Sequence, residues 1–161
     1  MKAFPKTALA LYLLTLLWLL LLKFSVDIPE VLAIHIRDIN MIPFAGAQDQ
    51  MSEVLSNFLV FVPFGLLLDV NYKRMNIRRK LACIFIFSVS VELVQFVLAI
   101  GVTDITDVIS NTLGGLFGLL LYGFSARYVT NRKLDQYIVA GGVALLALLL
   151  LLRFFVLKVR Y

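Results

Sequence analysis

Apolar residues in this chain come in long runs, not in the narrow stripes of a soluble amphipathic helix. From Thr7 to Phe24 the sequence reads TALALYLLTLLWLLLLKF, with no charged residue before Lys23. Four further runs follow: Val54–Leu68, short and broken by Pro63 and Gly65; Leu81–Ile100; Ile105–Phe124; and Ile138–Leu157, with Arg153 near its end. A bilayer hydrocarbon core of roughly 30 Å asks for about 20 predominantly apolar residues of helix. The five runs therefore predict an all-α bundle of five transmembrane helices. Between the first two lies a long segment, about Ser25–Ser52, with Asp27, Glu30, Asp38 and Asp49 in it and Glu53 at its edge. Its pieces DIPEVLAIHIR and INMIPF are too apolar for a plain solvated linker. They are expected to lie in the membrane interface or to dip back into the bundle, with Pro29 and Pro43 bending the chain. The link between the third and fourth runs reads as a tight turn, Gly101–Thr103.

Composition agrees: of 161 residues, 61% are hydrophobic and only 16% charged, which excludes an ordinary soluble domain. The first run has the basic start and apolar middle of a secretory leader. Lys23 and Phe24 follow it where a small-x-small cleavage pattern would stand, so it reads as a retained anchor. The net charge of +5 does not indicate nucleic acid, because the basic residues flank apolar runs and lack interleaved aromatics. They speak instead to topology, since cytoplasmic loops carry the excess of Lys and Arg. The densest block, Lys73, Arg74, Arg78, Arg79 and Lys80, is expected in the cytoplasm. Alternation then puts the N-terminus there as well, together with the loop of Arg127, Arg132 and Lys133. Ten basic residues fall inside and five outside. Of the five, Arg153, Lys158 and Arg160 run against the rule. Cys83, the single cysteine, makes no internal disulfide and has no zinc spacing, so it reads as a small buried hydrophobe. His35 has no evident partner and reads as a packing or interface residue. Tyr12 and Trp18 read as lipid-facing or interfacial filler.

Polar residues inside the apolar runs carry more information. At 1.5 Å of rise per residue, Glu92 lies roughly 18 Å and Gln95 roughly 22 Å above the inner membrane edge. Asn111 lies about 10 Å and Asn57 about 6 Å below the outer edge, and Asp107 near that edge. Glu92 and Gln95, three apart, share one helix face. Asp104, Asp107 and Asn111 follow an i, i+3, i+7 spacing, which also defines a single face. That stripe continues through Gly114, Gly115 and Gly118, where bare backbone admits a neighbouring helix. The third run is the expected neighbour, given the short turn between them. An acid at the centre of a membrane helix costs about 2.5–3.5 kcal/mol on insertion scales. Interhelical hydrogen bonds average only about 0.6 kcal/mol, weak compensation for a purely structural role. Glu92, Gln95, Asp104, Asp107, Asn111 and Asn57 are therefore a candidate polar site in the outer half of the membrane. Pro63 frees the carbonyl of Leu59 and is expected to kink the second helix.

Three motifs, INMIPF at Ile39–Phe44, NFLVFVPFG at Asn57–Gly65, and VELVQF followed by GVTDITDVISNTLGG within Val91–Gly115, carry a resemblance to the VanZ-like family. The resemblance runs through most of the chain and implies one membrane domain over residues 1–161. It implies an integral protein of the bacterial cell membrane that lowers susceptibility to teicoplanin and related lipoglycopeptides. The family's recurring polar positions fall here on Asn40, Pro43, Asn57, Pro63, Gly65, Glu92, Gln95, Asp104, Asp107 and Asn111. Asn40 thereby joins the candidate site. Many family members carry an arginine between the ExxQ motif and the first aspartate; here that segment, FVLAIGVT, has none.

The expected activity is non-enzymatic: the pocket engages a membrane lipid, a lipid-linked peptidoglycan precursor or the lipoglycopeptide itself, without cofactor or metal. A membrane-embedded enzyme acting on a wall precursor is the alternative, with Glu92, Asp104 and Asp107 as acid, base or cation ligands. The chain shows no serine elbow, HExxH or Walker loop. A small transporter is the third possibility, though no internal repeat supports it.

Overall fold

The computed structural model describes residues 3–22, 29, 31, 33, 35–44 and 47–151. Its elements are α1 (Ala3–Leu22), β1 (Ile36–Asn40), α2 (Ala47–Asn71), α3 (Ile77–Leu98), β2 (Ile100–Asp104), α4 (Ile105–Ser125) and α5 (Asn131–Leu151). All five helices are long and apolar enough to cross a membrane. At 1.5 Å per residue even α1, with 20 residues, spans roughly 30 Å.

Two helices exceed their apolar runs. Helix α2 starts at Ala47 and passes through Pro63 without a break, so the short, interrupted second span is corrected to Met51–Asn71, 21 residues of a 25-residue helix. Pro63 removes one donor, and the remaining ladder holds the helix together. Helix α5 begins at Asn131, seven residues before Ile138, because the polar turn NRKLDQ is helical. The expected end of that span, with Arg153, lies outside the described residues.

Successive helices alternate in direction. Asn71 Nδ2, at the end of α2, donates to the carbonyl of Pro5 at the start of α1 (3.0 Å). Near mid-helix the Tyr12 hydroxyl donates to the Val60 carbonyl (2.7 Å). Tyr12 is buried, with Ala8, Leu9 and Leu16 on the same face; it is a core residue and not lipid-facing filler. Phe61, Phe64 and Phe87 stack at centroid distances of 5.4–6.1 Å where α2 meets α3. Cys83, by contrast, is exposed on α3, as are Phe85 and Ile86, so the expected burial is corrected. In a membrane such a surface meets lipid.

The closest helix contact is between α2 and α4. A methyl group built on Gly114 would strike the Phe58 carbonyl, one on Gly118 the Val62 carbonyl, and one on Gly65 the carbonyl of Gly115. The glycine stripe therefore receives α2, and not α3 as the short connection suggested. Only Gly115 turns toward α3, against the Ile84 side chain. Small residues allow this approach, which gains dispersion contact in an environment where lipid removes the hydrophobic drive to associate.

The bundle is not purely helical. Strands β1 and β2 pair in parallel, in register from Ile36↔Ile100 to Asn40↔Asp104. The expected turn at Gly101–Thr103 is thus an extended strand. Helix α3 ends at Ala99, whose left-handed backbone (φ 56°, ψ 40°) turns the chain out of the helix. Arg37 on β1 caps the same end, donating to the carbonyls of Phe96 and Val97 (3.2 Å each), with its guanidinium 5.4 Å from the Phe96 ring centre. A cation here meets the negative end of the helix dipole. Part of the connection between α1 and α2 therefore belongs to a small sheet. Beyond β1, Met41, Ile42 and Phe44 are exposed and do not fold back into the bundle. His35 is exposed too, with φ 50°, so of the two expected roles packing into the core does not hold.

At the opposite end, Lys80 is buried and paired with Asp69 (2.7 Å). Lys73 bonds Asp135 (2.7 Å) and the Tyr122 hydroxyl, and that hydroxyl donates to Asp135 (2.8 Å). These bonds tie the start of α5 to the α2–α3 loop.

Candidate functional site

Helix geometry puts polar residues from three helices at the β1/β2 end. Asn57 lies early in α2, Glu92 and Gln95 late in α3, and Asp107 and Asn111 early in α4. Because α2 and α4 run opposite to α3, all five reach the same level. They line one cavity of about 350 Å³, with Ser52, Glu53 and Ser56 of α2 on its polar side and Leu19, Leu20, Val60 and Val91 as apolar walls. A second cavity of about 220 Å³ holds Asn40 and Asp104 and shares Glu53, Gln95 and Asp107 with the first. The two spaces therefore adjoin.

Glu92, Gln95 and Asn111 are each held by a neighbour. Glu92 is only 4% exposed, and its Oε2 accepts from the backbone N–H of Asp104 (3.1 Å). The Thr103 hydroxyl donates to the Glu92 carbonyl (3.3 Å), so β2 folds back over the end of α3. Gln95 Nε2 donates to the Leu20 carbonyl at the end of α1 (2.9 Å). Asn111, 1% exposed, donates through Nδ2 to the Ser88 hydroxyl (2.9 Å). Asn111 Oδ1 and Gln95 Oε1 are buried without a partner. An unmet buried acceptor costs about 1–3 kcal/mol.

Asp104 differs from the expectation. It is not part of the helical stripe but the N-cap of α4, in extended conformation, and its Oδ1 accepts from Thr106 N (2.7 Å). Its Oδ2 accepts from Asn40 Nδ2 (2.9 Å), which locks β1 to β2 at the last pair of their register. Asp104 and Asn40 thus order the rim, while Glu92, Gln95, Asp107 and Asn111 face the cavity they enclose. Thr106 serves the same rim: its hydroxyl accepts from the Phe44 N–H (3.0 Å). Glu53, Ser52 and Ser56 were not singled out as site residues from sequence. The helical run from Glu53 through Ser56 to Asn57, at i, i+3 and i+4, was the available signal.

Five such helices, with acids and amides gathered at one end, define a multi-pass helical membrane protein. The family follows from comparison. Residues 9–127 match the model of the VanZ/LLP1 family, and the chain belongs to that family. It is 45% identical over 152 residues to Protein VanZ of Enterococcus faecium, covering 94% of each chain. No solved structure matches it.

Proposed function

We propose that this chain lowers susceptibility to teicoplanin and related lipoglycopeptides by engaging a cell-envelope lipid or lipid-linked wall precursor in the cavity around Glu92. The N-terminus and the basic end lie in the cytoplasm, and the cavity opens toward the outer leaflet. The observation that carries this reading is Glu92 itself, a buried acid sharing a 350 Å³ cavity with Gln95, Asp107 and Asn111 inside an apolar bundle. Acids in membrane helices cost several kcal/mol and mark functional sites by default. Sidedness is supported by Arg74, Arg78 and Arg79, exposed at the end remote from the cavity, where the excess of positive charge belongs in the cytoplasm. Membership of the VanZ/LLP1 family supports the resistance phenotype.

The test is the teicoplanin sensitivity of cells expressing the wild type, Glu92→Gln or Asp107→Asn at matched membrane levels. Both variants should fall to the sensitivity of cells lacking the protein. Wild-type resistance in both would remove the cavity from the mechanism. A new covalent form of wall precursor, seen by mass spectrometry only when the wild type is present, would replace binding with catalysis.

A further inference from the structure

The charge and hydrogen-bonding character of the cavity restrict what it can hold. Glu53, Glu92 and Asp107 line it, and among the described residues no Lys, Arg or His does. The adjoining space adds Asp104 and again no described base. A phosphate brings only acceptors and negative charge, so the lining opposes it. The unmet atoms point the same way. Gln95 gives its Nε2 to a backbone carbonyl, which accepts only from a donor, so the amide orientation is fixed and Oε1 remains the free end. Asn111, almost wholly buried, leaves a second carbonyl oxygen without a donor. Carboxylates and amide oxygens together call for a ligand with several N–H donors and positive charge.

We infer that the cavity recognises a primary ammonium group carried on a lipid headgroup. The inference rests on the reading above, that the cavity binds an envelope molecule, and names what is recognised. An ammonium offers three donors and no acceptor, which matches a lining rich in acceptors. The apolar walls of Leu19, Leu20, Val60 and Val91 accommodate the carbon stem that carries it, and the acceptors replace the water that the ammonium gives up. Access favours a lipid source: Ser52, Glu53 and Ser56 are exposed at the mouth, and Leu55 and Leu59 beside them are exposed apolar residues. A chain lying along α2 in the bilayer would bring its headgroup to that mouth.

The experiment measures thermal stabilisation of the full protein in detergent by short-chain phosphatidylethanolamine, phosphatidylcholine and phosphatidylglycerol. A lysine-containing soluble peptide and its N-acetylated form are the remaining probes. A ligand that binds only the folded state raises the melting temperature in proportion to its occupancy. The ethanolamine lipid should bind at least about tenfold more tightly than the choline lipid, whose methyl groups replace the three N–H donors. The glycerol lipid should bind more weakly still. The stabilisation should vanish in Asp107→Asn and in Ser56→Lys, the latter changing an exposed residue and supplying a tethered ammonium of its own. Equal binding of all three lipids, abolished by both variants, would overturn ammonium recognition while leaving the cavity as a lipid site. Binding unaffected by either variant, or no binding by any probe, would overturn both. Peptide binding as tight as the ethanolamine lipid's and lost on acetylation would keep the ammonium and overturn the lipid source.

Discussion

Gly114 and Gly123 stand on the same helix, yet the structure gives them opposite sensitivities. A Cβ on Gly114 overlaps the carbonyl oxygen and carbon of Phe58, both rigid backbone atoms. No rotamer relieves that clash, so α2 and α4 must separate along the seam that includes Gly118 and Gly65. Overpacking of this kind costs about 1–3 kcal/mol. A Cβ on Gly123 meets nothing within 4 Å, and alanine there adds helix propensity, worth up to about 1 kcal/mol. Alanine gains that propensity at both positions, so the two substitutions should differ by the overpacking cost, roughly 1–3 kcal/mol. The assay is reversible unfolding in mixed micelles, followed by far-UV circular dichroism, for Gly114→Ala, Gly123→Ala and the wild type. Gly114→Ala should unfold earlier than the wild type and Gly123→Ala no earlier. Equal stabilities for the two variants would refute the close α2–α4 seam and, with it, the placement of Asn57 opposite Asn111.

Three further outcomes follow from other parts of the structure. Asp104→Ala removes the α4 cap and the Asn40 bond and should cost about 0.5–2 kcal/mol, whereas Asp104→Asn, itself a good cap, should cost less; thermal melts in detergent read the difference. Burial works to lower the pKa of Lys73, but its bonds to Asp135 and Tyr122 carry it above its ordinary value. A raised folded-state pKa means that the contribution of Lys73 is complete below the unfolded value, near 10.4, and is lost as pH rises through the folded one. Asp135→Asn should accordingly narrow its stability deficit relative to the wild type only at strongly alkaline pH, as seen in melts across a pH series. In a Cys83→Ala background, Val102→Cys should react with a membrane-impermeant thiol reagent applied to intact cells and Arg74→Cys should not; the reverse would invert the topology.

The five helices were legible because each apolar run is long enough to require a membrane solvent. Their polar extensions were not: AQDQMSE at the start of α2 and NRKLDQ at the start of α5 carry no apolar signal, and only the helical ladder continues through them. The β1–β2 pair joins segments 64 residues apart, and five-residue strands leave little periodicity to read. Asp104 illustrates an ambiguity of spacing. Its i, i+3, i+7 relation to Asp107 and Asn111 fits a helical stripe, but an aspartate just before a helix is also the preferred cap, and the strand preceding it decides between the two. The glycine stripe was readable, but its partner was not. Chain proximity favoured α3, whereas Gly65 gives α2 the bare surface that lets two backbones meet. The polar residues of the candidate site stood out in the sequence because apolar surroundings make each one costly, while Glu53, at the edge of its run, did not.

The most direct measurement is an experimental density map of the protein in lipid nanodiscs prepared with native envelope lipids. It should show a bound non-protein molecule among Glu92, Gln95, Asp107 and Asn111, with its polar end against those side chains. A map in which these side chains close on one another, or turn outward into lipid with no space between them, would contradict the account.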